Sequence, residues 1–249
     1  MSTATASDFA APVSDGGRHF LLRRLHSLTG LVFGGYIVVH LLVNASLVQG
    51  TNPDVYQIQV DKIHSLPFLP AVEWLFIYLP IIFHTLYGIW ITVTGEPNVG
   101  RYPYAKNWFY FWQRVSAIVI AAFILFHVLG MKGLFGSTLR FDEHHATTST
   151  FAHINASPLI AYVVYPIGIL ASCYHLANGF WTAGITWGLT VSAAAQRRWG
   201  YACAGIFLVI FVCGLMALGS AIVGRSRATQ GSAATVLPLP PSPCLPLSS

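Results

Sequence analysis

Apolar and polar stretches alternate along the chain on a scale too long for strands or for ordinary surface helices. In lipid only helices or closed barrels satisfy the backbone, and a helix needs about 20 apolar residues to cross the hydrocarbon core. The pattern predicts an all-α integral membrane bundle of five transmembrane helices, in one domain covering residues 1–223. Their predicted positions are about 22–47, 68–93, 108–131, 158–189 (strictly apolar only to 182) and 201–223.

Composition supports lipid as the solvent. Charged residues make up 8% of the 249 residues, whereas soluble domains carry roughly 25%. The net charge of +5, from 13 Lys and Arg, is too small to indicate nucleic-acid binding. Eight of these cations flank one side of the predicted spans and five the other, which predicts a cytoplasmic N-terminus and a C-terminus outside. The Pro/Ser-rich segment 224–249 is predicted to be a disordered tail.

Apart from His26, near the start of the first run, four of the ten histidines lie deep inside apolar runs, one in each of the first four: His40, His84, His127 and His175. Ionisable residues inside a membrane are costly and usually functional. Each lies 16 or 17 residues beyond a plausible helix start, which is roughly 25 Å of helix. Because successive helices run in opposite directions, the four residues fall at two depths. We name His84 and His175 the inner pair, and His40 and His127 the outer pair.

A level pair of imidazoles is the ligand set of a bis-histidine haem, in which each ring binds one side of the iron. Both axial positions are then closed, which favours electron transfer over oxygen binding. The sequence therefore predicts two b-type haems, one on each pair, with the four histidines as iron ligands and no catalytic residue in the chain. The candidate propionate or inner-face contacts are four residues near the inner face: His26, Ser27, Arg24 and Arg114. Glu73, an isolated acid in the second run, is a candidate for the quinone site.

The segment 133–157 between the third and fourth runs is expected outside the membrane. It contains Asp142, Glu143, His144, His145 and His153. The pattern indicates no role for the three histidines of this segment.

Several stretches together resemble the dihaem cytochrome b subunit of succinate dehydrogenase, in particular the menaquinone-type enzymes of Gram-positive bacteria. The similarity covers about residues 18–223. The segments that carry it are RRLHSLTG (23–30), HLLVN (40–44), SLPF (65–68), YLPIIFHTLYGIWI (78–91), YAKNWFYFWQRVSAI (104–118) and HLANGFWTAGITWGLTV (175–191).

The resemblance implies a membrane anchor of the bacterial cytoplasmic membrane, with a flavoprotein and an iron–sulfur protein bound on its cytoplasmic face. Electrons would pass from the iron–sulfur partner through the inner and outer haems to a quinone, which the resemblance implies is menaquinone. The inner and outer pairs match the family's ligands. Related fumarate reductases carry a proton-transferring glutamate two residues before the fourth ligand, where this chain has Cys173, so a proton path of that kind is not expected.

Three other readings remain open at this point. The chain could be the cytochrome b of a fumarate reductase, formate dehydrogenase or hydrogenase, whereas a quinol:cytochrome c reductase would put two ligands on each of two helices. It could be a proton-coupled transporter with a histidine relay, although such proteins have broken helices and midplane acids. It could also be a structural anchor without a cofactor.

Overall fold

The computed structural model describes residues 14–49, 54–96 and 99–234, and only the backbone of residues 14, 15 and 225–234. Within these ranges the regular structure is helical. Five helical segments are long and apolar enough to cross a membrane, which confirms the predicted all-α class with five spans. They are Gly16–Gln49, Leu69–Thr94, Ala105–Met131, Ile160–Thr186 and Ala193–Gly224.

In the described ranges, eight α-helices build these spans and the connections between them. The second and fourth spans each contain one π-helical turn, Trp74–Tyr78 and Ile160–Val164, followed closely by a proline, Pro80 or Pro166. Proline lacks an N–H and crowds the preceding turn, so a wider turn accommodates it. The helices are α1 (Ser14–Ala45), α2 (Val55–His64), α3 (Leu69–Glu73), α4 (Leu79–Thr94), α5 (Ala105–Met131), α6 (Ala146–Ile154), α7 (Tyr165–Thr186) and α8 (Ala193–Ala234).

Four of the helices form a closed ring in the order α1, α4, α5 and α7, in which each helix contacts the next and α7 returns to α1. The ring order places α1 across from α5, and α4 across from α7. Helix α8 lies outside the ring and packs against α1 and α7. As a result, 44% of the most apolar part of the α7 span is buried, against 6% for the span that contains α4. The apolar outer faces of the ring are suited to lipid contact.

Two short helices outside the spans, α2 and α6, pack together and form what we call the cap. Asp54 begins α2 by accepting a hydrogen bond from the backbone N–H of Gln57 (3.0 Å), and it also accepts one from the Thr147 hydroxyl of α6 (2.8 Å). The Gln57 amide in turn bonds the backbone of Glu143 and Ala146. These contacts explain why the connections fold. The hydrophobic pattern predicted neither helix. Each has fewer than three full turns, which is too short for a clear apolar run.

Several helix ends differ from the predicted bounds, among them the start of α8, which lies at Ala193 instead of 201. Helix α7 ends at Thr186, because Gly188 has φ +74° and the N–H of Leu189 bonds back to the Gly184 carbonyl (2.9 Å). The predicted end, about 189, lies three residues further on, because a left-handed glycine just beyond a helix ends it. Helix α1 begins earlier than predicted. Helix α8 continues to Ala234, so residues 225–234 of the predicted tail are helical, and the predicted disorder of 235–249 lies outside the described residues.

Candidate haem sites

The inner pair is brought together across one diagonal of the ring. His84 of α4 and His175 of α7 have ring centroids 6.1 Å apart, and the ring planes are nearly perpendicular at 89°. Imidazole nitrogens bind metals at about 2 Å. Two rings at this spacing therefore have room for one metal ion between them.

The outer pair lies across the other diagonal with nearly the same geometry. His40 of α1 and His127 of α5 have ring centroids 6.0 Å apart and an interplanar angle of 76°. The sequence predicted both pairings from helix depth alone. Each of the four helices contributes one histidine, so the two pairs use the two diagonals of the ring.

The donor set suits a metal whose other ligands come from outside the protein. Among the described residues, no three His, Cys, Asp or Glu side chains converge into a metal site. An isolated protein metal site usually needs three or four such ligands. Two opposed imidazoles are sufficient only where a macrocycle supplies the remaining ligands, as a porphyrin does. The residues present therefore fit a haem better than a bare metal ion.

Backbone carbonyls hold the inner pair. Nδ1 of His84 lies 2.9 Å from the backbone oxygen of His26, and Nδ1 of His175 lies 3.2 Å from that of Gln113. A carbonyl oxygen only accepts, so each Nδ1 carries the hydrogen and donates it. Each Nε2 then keeps a free lone pair, which is the tautomer that a metal ligand needs. The Ser116 hydroxyl also lies 3.3 Å from Nδ1 of His175.

Side chains hold the outer pair. Nδ1 of His127 lies 2.9 Å from the hydroxyl of Tyr165. His40 has two longer contacts, from Nδ1 to the Tyr36 hydroxyl (3.4 Å) and from Nε2 to the Asn44 amide nitrogen (3.5 Å). A tyrosine hydroxyl can donate or accept, so its contact leaves the tautomer of His127 open. The Asn44 amide nitrogen only donates, so Nε2 of His40 is the acceptor in that contact. The sequence analysis did not identify Tyr165 as a partner of the outer pair.

His26 lies directly against the inner pair. Its ring stacks on that of His84 with centroids 4.0 Å apart and an interplanar angle of 7°. Two glycines make room for this stack: a Cβ on Gly30 would lie 2.5 Å from Cε1 of His84, and one on Gly88 would lie 3.1 Å from Cε1 of His26. Nδ1 of His26 is buried and has no partner among the described residues. The contact of His26 with a propionate or the inner face stays a prediction. The stack on His84 and the unpartnered Nδ1 are compatible with it.

The other candidates near the inner face have protein partners. The Arg24 guanidinium donates to the backbone oxygen of Thr186 and lies 4.9 Å from the Trp187 ring. The Ser27 hydroxyl accepts a hydrogen bond from the indole N–H of Trp187 (3.0 Å). Both residues therefore tie α1 to the end of α7, and their contact with a propionate stays a prediction.

Arg114 ends α4. Its guanidinium donates to the backbone oxygens of Gly95 (2.8 Å) and Ile91 (3.2 Å) and lies over the Tyr110 ring. These are carbonyls at a helix C-terminus, which lack partners within the helix. Nε of Arg114 is buried without a partner among the described residues. An inner-face contact of Arg114 with a propionate stays a prediction.

Glu73 is half-buried at the junction of α3 and the following π turn. Within the described part of the chain it makes no salt bridge, because the ion pairs found there join histidines to Glu143 or Asp142. Its role at a quinone site stays a prediction.

His153 is a third imidazole beside the outer pair. This residue of α6 is fully buried, and its ring centroid lies 6.2 Å from that of His127 and 5.7 Å from that of Tyr165. Burial lowers the pKa of His153, and a hydrogen bond to the Leu139 carbonyl opposes that shift. The sequence placed His153 outside the spans without a role. The sequence offered only a weak signal, because His153 lies in a short segment, ATTSTFAHI, that mixes apolar and hydroxyl residues.

Cys173, where related fumarate reductases carry a glutamate, is fully buried in the apolar cluster between α7 and α8. Its neighbours there include Ile169 and Ile210. The Cys173 thiol is therefore packed among apolar side chains between the ring and α8.

Taken together, the fold and its paired histidines define a multi-pass, all-helical membrane protein with two levels of opposed, half-buried imidazoles. No protein-family model matches the sequence. The chain is 34% identical over 206 residues to the succinate dehydrogenase cytochrome b558 subunit of Bacillus subtilis (strain 168), across 82% of this chain and 97% of that protein. The chain belongs to the family of succinate dehydrogenase cytochrome b558 subunits, which confirms the family predicted from its sequence motifs.

Proposed function

We propose that the chain is the membrane anchor and electron-transfer subunit of a succinate dehydrogenase and that it holds two b haems. The observation that carries this proposal is the pair of diagonal imidazole couples, with centroids 6.1 Å and 6.0 Å apart. The name of the Bacillus subtilis relative supports both the cytochrome character and the enzyme complex.

In such a subunit, residues of this chain would bind the haems, fix the ligand tautomers and keep oxygen from the iron. His84 and His175 would hold the inner haem, and His40 and His127 the outer one. When bound, the haems supply reversible one-electron transfer. The carbonyls of His26 and Gln113 fix the inner imidazoles in the ligating tautomer. Two histidines at each haem would favour electron transfer over oxygen binding.

Helix geometry sets the distance that electrons cross between the levels. His26 stacks on the inner ligand His84, and His40 belongs to the outer pair. Both lie on α1, 14 residues apart, which corresponds to roughly 21 Å at 1.5 Å per residue. That length covers most of a hydrocarbon core of about 30 Å. Two haems at these levels would carry electrons across most of the membrane.

The proposed partners are a flavoprotein that oxidises succinate and an iron–sulfur protein that passes on the electrons. Both would bind at the cytoplasmic face, next to the inner pair. This chain alone would not oxidise succinate. The Lys and Arg distribution supports an N-terminus on the cytoplasmic side of a bacterial cytoplasmic membrane and a C-terminus outside.

The proposed electron acceptor is a quinone of the menaquinone class, which is reduced near the outer pair. Two electrons then cross the membrane in each turnover. Each charge moved is worth about 2.3 kcal/mol per 100 mV of membrane potential, so the potential would help to drive this reduction. An uncoupler added to intact membranes is expected to slow succinate-to-quinone electron flux. Unchanged flux after the potential collapses would refute this direction of transfer.

The haem count per polypeptide tests the proposal most directly. A reduced-minus-oxidised absorption spectrum of the purified complex should show b-type bands, and extraction should give two haems per chain. No haem bands would favour a transporter or a structural anchor. One haem per chain would leave one imidazole pair without its proposed role.

A further inference from the structure

Buried polar side chains concentrate on α6. Five buried polar side chains occur in the described part of the chain, and three of them lie on this helix at spacings of three residues: Thr147, Thr150 and His153. Residues three apart share a side of a helix. The Thr147 hydroxyl donates to Asp54 (2.8 Å), and the Thr150 hydroxyl lies 3.4 Å from that of Tyr56. A polar stripe therefore runs along α6 towards the outer pair and ends at His153.

His153 has one ring nitrogen without a partner. Nδ1 lies 2.7 Å from the backbone oxygen of Leu139, which can only accept, so this nitrogen carries the hydrogen. Nε2 is fully buried and makes no hydrogen bond within the described residues. A buried polar atom without a partner is costly. This atom therefore indicates a ligand that the protein itself does not supply.

The position of His153 connects it to the outer pair. Its ring is edge-on to both His127 and Tyr165, with interplanar angles of 80°. The Tyr165 hydroxyl in turn bonds His127. On the α5 side, a Cβ added to Gly130 would lie 3.1 Å from Cε1 of His153, so glycine allows the close approach of the ring to this helix.

The hydrogen on Nδ1 decides which ligand fits. A neutral ring with that hydrogen presents Nε2 as an acceptor, so the partner must be a donor. An ionised haem propionate and a quinone carbonyl offer only acceptor oxygens towards it. The hydroxyl group of a hydroquinone donates and therefore fits.

We propose that Nε2 of His153 accepts a hydrogen bond from a hydroxyl of the hydroquinone formed beside the outer pair, so that α6 contributes to a quinol-binding site. This inference rests on the proposed reduction of quinone at that level. In the reaction, the quinone gains two electrons delivered through the chain and two protons from water, and it forms two O–H bonds. His153 binds the product and is unchanged.

Two probes that differ only in the donor test the proposal: 1-naphthol, which has a hydroxyl, and 1-methoxynaphthalene, which has none. Their binding to the detergent-purified complex is measured by equilibrium dialysis against micelles without protein. One hydrogen bond is expected to favour naphthol about tenfold in the natural complex. His153→Phe should remove this preference and leave methoxynaphthalene binding unchanged.

His144→Phe is the matched control, because the side chain of His144 is 82% exposed, and it should keep the preference. His153→Leu gives the same comparison with a smaller side chain. Equal binding of both probes by the natural complex would overturn the proposal without any variant. A preference that survives both His153 changes, or loss of the outer haem in either, would also overturn it.

The haem count separates this result from a failure of the proposed function. Two haems per chain with no naphthol preference would reject only the role of His153. A natural complex without haem would reject the proposed function itself.

Discussion

The inner and outer pairs share nearly the same ring spacing but are oriented by different kinds of partner. Backbone carbonyls hold both inner imidazoles, whereas tyrosine and asparagine side chains contact the outer ones. A backbone partner survives almost any substitution, but a side-chain partner can be changed singly. The comparison teaches that the inner site is fixed by the fold, while the outer site is open to adjustment by sequence.

Removing an inner ligand should have the largest effect. His84→Leu is expected to leave one haem per chain and to lower succinate-dependent quinone reduction at least about 100-fold, since one proposed electron site is lost. The measurement is the haem content of the purified complex together with quinone reduction. His144→Leu, at an exposed site just before α6, should change neither. Two haems in the His84 variant would reject the assignment of the inner pair.

Crowding the inner pair without removing a ligand should have the next largest effect. In Gly30→Ala the new Cβ would lie 2.5 Å from Cε1 of His84, so the ring or α1 must shift, at a typical cost of about 1–3 kcal/mol. We expect a lower thermal midpoint and a changed spectrum of the inner component. Gly35→Ala is the matched control, because a Cβ there would meet nothing within 4 Å. Equal behaviour of the two variants would contradict the close packing of α1 on His84.

Loss of an outer hydrogen bond should have a more selective effect. Tyr165→Phe removes the hydroxyl 2.9 Å from Nδ1 of His127. Changes in groups that orient a ligand typically cost about 10–100-fold in metal affinity or activity. The outer component alone should lose affinity or change its midpoint potential in a redox titration. Tyr162→Phe, at a residue 64% exposed, should leave both components unchanged, and a response of the inner component to Tyr165→Phe would argue against separate sites.

The smallest expected effect is a pH dependence of the short segment that leads into α6. The Asp142 carboxylate accepts hydrogen bonds from the His145 side chain and the His144 backbone N–H, which hold its pKa below the usual 3.8. Its stabilisation is therefore complete above the unfolded-state pKa and disappears as the pH falls through the lower folded-state value. Asp142→Asn should slightly lower the thermal midpoint at pH 6 and match the natural protein once the pH is low enough to protonate Asp142 in the folded state. Glu96→Gln, at an exposed residue far along the chain from Asp142, serves as the control. If Asp142→Asn still lowered the thermal midpoint at low pH, ionisation of Asp142 would not be the cause.

Long-range features of the molecule were predictable from the sequence because they depend on simple helix geometry. Span lengths follow from membrane thickness, and equal depths of His40 and His127, and of His84 and His175, follow from a constant rise per residue. Both pairings then required only that neighbouring helices alternate in direction. The agreement of these pairings with the ring diagonals was not itself predictable, because helix order around a bundle is set by packing.

Local features could not be predicted in the same way. The cap depends on particular hydrogen bonds, such as that of Thr147 to Asp54, between segments 93 residues apart. The burial of His153 depends on the cap in turn. At the end of α7, Gly188 did offer a usable signal for helix termination, but it was outweighed by the apolar residues around it.

The diagonal arrangement of the four histidines has a consequence for assembly. With the proposed ligands, one haem would brace α4 against α7 and the other α1 against α5, so each would act as a strut along a different diagonal. A ring braced along one diagonal only can still shear along the other. Insertion of either group should therefore stiffen the site that receives the second, and the two loading steps should depend on each other although the groups occupy opposite halves of the membrane.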